Sequence, residues 1–284
     1  MKIIMKKFQK LNVFVALLFL LGLFYSASVR ADQVNLTLQK VSAVNNMPNK
    51  PKPTVVLVHG AFAESSSWNG VIKNLLSQGY PVIAAANPLR SVTGDAEYLA
   101  GILKSVDGPI VLVGHSYGGS VIGSAARGNA DVRALVYVAA FAPDKGETAA
   151  ELSGRFPGST LGPTLAPPVN LPGGGKDLYI QQDKFRAQFA ADIPEAEAKL
   201  MAASQRPITE AALNEASSEP AWKTIPSWFV FGTADKNIPL AALTFMAQRA
   251  GAKKTVEIKG ASHVVMVSHP DSVAKLIAVA AEAR

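Results

Sequence analysis

Residues 110–123 read IVLVGHSYGGSVIG. An aliphatic run enters Gly114-His115-Ser116-Tyr117-Gly118-Gly119, and small and apolar residues follow. The run suits a strand buried on both faces, expected at Pro109–Val113, and the stretch beyond it suits a helix from about Tyr117 to Arg127. A serine between glycines at such a junction reads as a nucleophile elbow. The turn is sharp enough to hold the serine in a strained backbone conformation. Its flanks must be small because strand and helix nearly touch, and Gly114, Gly118 and Gly119 meet that need. The hydroxyl is then presented at the top of a sheet, at a helix N-terminus where free N–H groups favour negative charge. A nucleotide-binding loop is excluded, since neither Gly-Lys-Ser/Thr nor Gly-x-Gly-x-x-Gly occurs here.

The same alternation extends along the chain. Strands are expected at Thr54–Val58, Pro81–Ala85, Val132–Ala139, 226–231 and 254–258, with helices at 66–78, 92–105, 239–250 and 270–283. Val34–Val41 alternates apolar and polar and reads as an edge strand. Apolar strands separated by helices mark a mostly parallel, doubly wound α/β sheet covered on both faces. The pattern breaks at 142–225. Eleven of the 22 residues from Gly154 to Gly175 are Gly or Pro, which excludes regular structure there. Residues 177–204 read as one or two helices broken at Pro194, and 208–218 as another. Insertions at the carboxyl ends of strands are where such sheets hold ligands.

The chain has 284 residues and no cysteine. Lys2, Lys6, Lys7 and Lys10 precede an apolar stretch from Leu11 to Phe24, and Ser26–Ala31 offers small residues for cleavage, so residues 1–31 read as an export signal cut after Ala31. The alternative is an uncleaved anchor, for which the apolar run is short. Residues 32–284 then form one domain, periplasmic or secreted. The formal charge is +7, of which residues 1–31 carry five positive charges and no acid, so residues 32–284 carry +2. No basic stripe suggests nucleic acid, and no stable membrane association is expected after cleavage. Nothing in the sequence sets an oligomeric state.

A serine hydroxyl needs a base. Of four histidines, His263 is preferred because it lies in the loop leaving the last strand. His115 sits inside the elbow, His269 precedes Pro270, and His59 suits a structural brace. The base needs a carboxylate to set its tautomer. Asp235 follows the strand at 226–231 and is preferred, with Asp144 the rival. Two amides should face the developing oxyanion: that of Tyr117, after the serine, and that of Ala61, with Phe62 the fallback. Phe62, Trp68, Tyr117, Phe141, Leu178, Phe185, Met201 and Val264 could line a pocket. The motifs themselves place Phe62, Tyr117 and Val264, and Phe62 and Val264 are taken as substrate-binding.

His59-Gly-Ala-Phe62, Gly114-His-Ser-Tyr-Gly-Gly119, Gly232-Thr-Ala-Asp235 with Ile238-Pro239, and Gly260-Ala-Ser-His263 with His269-Pro270 resemble the α/β-hydrolase superfamily across nearly all of residues 32–284. The branch most similar holds plant methylesterases, hydroxynitrile lyases and bacterial small-ester carboxylesterases. The resemblance implies an α/β-hydrolase fold with a small helical cap inserted after the sixth strand. It implies a serine carboxylesterase acting on a small apolar ester through an acyl-enzyme, without cofactor or metal. Two readings stand beside it, a carbon–carbon lyase and a non-catalytic binding protein on the same fold. The lyases of this branch carry threonine where this chain has Gly60, and lysine where it has Val264. A dehalogenase would carry aspartate at position 116.

Protein recovered from its native compartment should begin near Asp32 by intact-mass analysis. A membrane-bound chain that retains Met1–Ala31 would mean anchoring instead.

Overall fold

A computed structural model describes residues 51–283, so the expected export segment 1–31 and the expected edge strand Val34–Val41 lie outside the described residues. The chain runs β1 (Thr54–Val58), α1 (Asn69–Ser77), β2 (Val82–Ala85), α2 (Val92–Lys104), β3 (Ile110–His115), α3 (Gly118–Ala125) and β4 (Val132–Val138). An inserted cap follows: α4 (Ala149–Gly154), β5 (Val169–Asn170), β6 (Lys176–Leu178), α5 (Gln182–Phe189), α6 (Glu195–Ala203), β7 (Ile208–Thr209) and α7 (Glu210–Asn214). The sheet resumes with β8 (Ser227–Gly232), α8 (Leu240–Arg249) and β9 (Lys254–Ile258), and the chain continues through α9 (Val265–Ser268) and α10 (Pro270–Glu282).

Six strands pair in the order β2-β1-β3-β4-β8-β9, every pair parallel. Composition follows position. The inner strands β3 and β8 are buried at every residue, as helices over both faces demand. The edge strand β9, KTVEI, keeps Lys254 and Glu257 in solvent. Helix α1 turns Val71 and Leu75 to the core and packs on α10, while α2 packs on α3. The Ser91 hydroxyl starts α2 by accepting from the Gly94 amide at 2.9 Å.

From β1 the chain moves outward to β2, then returns to lay β3 on the other side of β1. The loops leaving β1 and β3 therefore diverge and open a crevice at the carboxyl ends of the strands. Those loops carry Ala61 and Ser116.

The cap departs from the expected helices alone. β5, β6 and β7 form a small antiparallel sheet, with Val169 opposite Asp177 and Leu178 opposite Ile208. Ile208 and Thr209, read as the start of a helix over 208–218, supply the last of these strands, and α7 is only five residues long. Pairing with β6, invisible in local composition, overrides the helical pattern. Among the described strands the cap follows the fourth rather than a sixth, because two of the six come after it. The cap is tied to the loop after β2 by Thr209 N–H donating to the Leu89 carbonyl at 3.1 Å and by an Arg90–Asp177 ion pair at 2.6 Å.

Backbone crowding fixes how α3 meets the sheet. A methyl group on Gly114 would lie 2.6 Å from the Gly118 carbonyl oxygen, and one on Gly118 would lie 2.6 Å from that of Val58. One on Gly119 would lie 2.1 Å from the Phe141 oxygen. A methyl on Gly123, further along α3, meets the Tyr137 hydroxyl at an ordinary 3.7 Å. Gly119→Ala should therefore cost at least about 2 kcal/mol in urea unfolding. Gly123→Ala should be neutral, or stabilising by up to about 1 kcal/mol through helix propensity. Equal effects would contradict this account of the junction.

Candidate active site

Ser116 follows β3 directly and has φ of 53°, a left-handed conformation that costs a non-glycine residue about 1–3 kcal/mol. The surrounding backbone holds it there. Its carbonyl accepts from Gly119 N–H at 2.9 Å and from Phe141 N–H at 3.1 Å, and its own N–H donates to Val138 at 3.3 Å.

His263 arrives from the far edge of the sheet. Its loop lies directly on the end of β8, where a methyl on Gly232 would come within 2.1 Å of the Ala261 oxygen. Ala234 N–H donates to that oxygen at 3.0 Å. His263 Nε2 stands 2.9 Å from Ser116 Oγ, and His263 Nδ1 stands 2.7 Å from Asp235 Oδ2. A carboxylate can only accept, so Nδ1 carries the hydrogen and Nε2 is left to accept from the serine. Asp235 Oδ1 accepts from the Asn237 and Ile238 amides at 2.8 and 3.0 Å, which fixes the carboxylate. All three residues are buried. Asp144 is elsewhere: its carboxylate pairs with Lys223 Nζ at 2.6 Å, and that ammonium holds it below the usual carboxylate range.

The amides near Ser116 differ in availability. Phe62 N–H is spent on the Arg206 carbonyl at 2.9 Å. Among the described residues, the Ala61 and Tyr117 amides donate to no protein acceptor. Of the two amides weighed from the sequence, Ala61 first and Phe62 as the fallback, it is that of Ala61 that is free of a protein acceptor among the described residues. Glycine at position 60 lets the Ala61 loop lie on the elbow, since a methyl there would be 2.6 Å from Ser116 Cβ and 3.1 Å from the Tyr117 nitrogen. The Tyr117 side chain turns to Asp95, donating its hydroxyl to Oδ2 at 2.9 Å.

The other histidines hold backbone. His59 Nε2 accepts from Asn87 N–H at 3.0 Å, and the Asn87 side chain donates to the His59 carbonyl at 2.9 Å, bracing the loop that carries Ala61. His115 is completely buried, and its Nε2 is 3.2 Å from the His263 carbonyl oxygen, to which it donates. Sequence reading set His115 aside because it lies in the elbow; its ring instead supports the histidine loop from below. His269 caps α10 and bonds Ser268.

Above Ser116 and His263 lies a cavity of about 320 Å³. Its walls are mostly apolar: Ala61, Phe62 and Phe141 from the sheet side, and Leu161, Leu165, Phe189 and Leu213 from the cap. Apart from His263, no acidic or basic side chain among the described residues lines it. Phe189 sets its ring against His263 with centroids 5.1 Å apart. Val264, expected at the substrate, does not line this cavity: the chain turns into α9 just after His263 and buries Val264 in the core. Of the other apolar candidates, Tyr117 and Phe141 reach the cavity. Trp68 packs edge-on to His115, Phe185 packs behind Phe189, Leu178 is buried in β6, and Met201 lines a separate outer groove. The cap residues Phe189, Leu161, Leu165 and Leu213 carried no signal in the sequence, because only folding of the insertion brings them over the serine.

A family model described as "Alpha/beta hydrolase family" matches residues 55–276. An alpha-hydroxynitrile lyase of Arabidopsis thaliana is 28% identical over 237 residues, which cover 76% of this chain and 92% of the lyase. A pyrethroid hydrolase of Sphingobium wenxiniae is 26% identical over 253 residues, covering 81% of this chain and 88% of the hydrolase. The crystal structure of polyneuridine aldehyde esterase superimposes with a TM-score of 0.70 at 21% identity, covering 80% of this chain and 98% of the esterase.

Burial holds both His59 and His115 below the usual histidine value of 6.5, His115 far below. Unfolding lets them bind protons that the folded state refuses, so stability is full above about pH 6.5 and falls as the pH drops below it. The melting temperature should be flat from neutrality upward and decline from about pH 6.5 toward pH 5. His115→Gln, which keeps a donor without the titrating ring, should make that decline shallower; an unchanged slope would contradict the assignment.

Proposed function

The chain belongs to the alpha/beta hydrolase family, and we propose that within it this protein is a serine esterase that cleaves small or medium neutral carboxylic esters through an acyl-enzyme. The observation that carries this reading is the unbroken chain of hydrogen bonds from Asp235 through His263 to Ser116, at the floor of an apolar cavity.

The chemistry follows from the geometry. Ser116 Oγ attacks the ester carbonyl while His263 Nε2 takes its proton. Asp235 keeps the ring in the accepting tautomer and stabilises the imidazolium that forms. The negative charge on the carbonyl oxygen falls to the Ala61 and Tyr117 amides, a donor pair of a kind worth about 3 kcal/mol each. His263 then protonates the leaving alkoxide. Water, deprotonated by the same ring, releases the acid and restores Ser116. Because the described residues of the cavity wall present no fixed charge to the substrate, a neutral ester is favoured.

The similarity to a hydroxynitrile lyase raises a carbon–carbon lyase as a second reading. Two features of this chain oppose it. Gly60 leaves no room for the hydroxyl side chain that the lyases of this branch carry there, and Val264 is an apolar core residue where they carry an ammonium. The esterase reading also takes residues 1–31 as an export signal, with the enzyme acting in the periplasm or outside the cell.

Ser116→Ala should abolish ester hydrolysis, a loss on the order of 10⁶ in turnover, with the fold intact. Asp235→Asn should cost on the order of 10⁴, because the amide stabilises the wrong tautomer. Asp144→Asn should do little. Wild-type enzyme mixed with an activated ester should release a burst of one equivalent of alcohol. Absence of both burst and turnover across acyl-chain lengths would leave a binding protein, and cyanohydrin cleavage without ester hydrolysis would leave a lyase.

A further inference from the structure

The turn that presents Ser116 has few side chains to hold it. Gly114, Gly118 and Gly119 have none, and the Ser116 hydroxyl must stay free to react. That leaves His115 and Tyr117. His115 reaches toward the histidine loop. The Tyr117 side chain runs the other way, wholly buried, and its hydroxyl donates to Asp95 Oδ2 at 2.9 Å. The backbone N–H of Tyr117 is the amide that follows the nucleophile, and it has no acceptor among the described residues. A donor kept free for developing charge works only if it is aimed beforehand. No protein acceptor aims this one, so its direction has to be fixed through the rest of its residue.

Asp95 is held well enough to serve as that fixed point. It is buried in the first turn of α2, and the Arg90 amide donates to both of its oxygens, at 3.1 and 3.2 Å. Among the described residues its carboxylate makes no ion pair, and burial raises its carboxyl above the usual range against the pull of the Arg90 amide and the Tyr117 hydroxyl. The segment that supplies the Arg90 amide is strained, since Leu89 has φ of 61°, a conformation costly for a non-glycine residue. The cap grips this segment. Thr209 Oγ1 donates to the Arg90 carbonyl at 2.7 Å, the Arg90 guanidinium donates to the Pro207 carbonyl at 2.7 Å, and Glu215 accepts from the Val92 and Thr93 amides at 2.6 and 3.1 Å. An apolar side chain at position 95 would fill the core without the cost of burying a carboxylate. We propose that Asp95, which does not line the cavity, is a positioning residue for ester cleavage, acting through the Tyr117 side chain to aim the Tyr117 amide at the oxyanion. The inference rests on the esterase reading above and deepens it, by making one oxyanion donor depend on a carboxylate of a different helix.

The test sets turnover of an activated ester beside the affinity for a hexyl trifluoromethyl ketone, to which Ser116 adds to give a tetrahedral oxyanion. Tyr117→Phe keeps the ring and loses only the hydroxyl. Its kcat should fall about 10-fold with KM within about twofold of wild type, and its ketone affinity should fall by the same factor as kcat. Asp95→Leu should give the same signature. The double variant should be no worse than the poorer single one, because the two residues act as a unit. Val71→Ala, which opens a space in the core beside α1, should lower the melting temperature without changing kcat or ketone affinity, so lost stability alone does not imitate the effect. If Asp95→Leu does not fold, Tyr117→Phe decides by itself. An unchanged kcat in Tyr117→Phe would overturn the proposal, as would a raised KM with ketone affinity kept, or losses that add in the double variant. A wild type that neither hydrolyses esters nor binds the ketone would overturn the esterase reading and this inference together, whereas a fully active wild type with an equally active Tyr117→Phe removes the inference alone.

Discussion

The close approach of four backbone segments around Ser116 is the constraint on which the site depends. The ends of β1 and β3, the start of α3 and the chain leaving β4 meet at distances that leave no room for a side chain at Gly114, Gly118 or Gly119. That crowding forces the serine into its left-handed conformation, and hydrogen bonds to its carbonyl from Gly119 and Phe141 keep it there. Neighbouring groups inherit the arrangement. The Tyr117 amide stands clear of acceptors because the turn is so tight, and the Ala61 loop can lie on the elbow because Gly60 adds no bulk.

Around this point the sheet works as a ruler. The serine and the aspartate loops leave β3 and β8 at the same edge, with β4 between them, while the histidine comes from beyond β9. His263 must therefore cross back over the end of β8, and it does so across Gly232. His115 then receives it, donating to its carbonyl. Burial keeps His115 neutral, so it supplies a hydrogen bond beneath His263 without adding a second positive charge. The residue between the glycine and the serine of the elbow thus supports the histidine loop, a role that its place in the motif does not suggest.

How much of this could be read from the sequence depended on the range of the forces involved. The inner strands were legible because helices on both faces demand apolar residues throughout, and Thr54–Val58 forms where the pattern puts it. The elbow was legible because its steric demand falls on glycines within a few positions of the serine. Choosing Asp235 over Asp144 rested on strand adjacency, which is partly topological, and the distances now separate them. Val264 misled because adjacency in sequence to His263 was taken for adjacency to substrate, and one turn of helix reverses its direction. The cap was least legible. Its small sheet and the wall it lends the cavity rest on contacts between residues far apart in the chain, and its glycine- and proline-rich start gives no periodicity to follow.

The cap touches the Ala61 loop through main chain on both sides, from the Phe62 amide to the Arg206 carbonyl. The Arg206 side chain adds an ion pair to Glu64 at 3.0 Å, so main chain and side chain together hold the neighbouring amide in register with the serine. Variation in the cap can then reshape what enters the cavity without resetting the machinery beneath it, provided the insertion still delivers one carbonyl to the same point. A change in the length of the cap upstream of position 206 would move that carbonyl, whereas a substitution in the cavity wall leaves it in place.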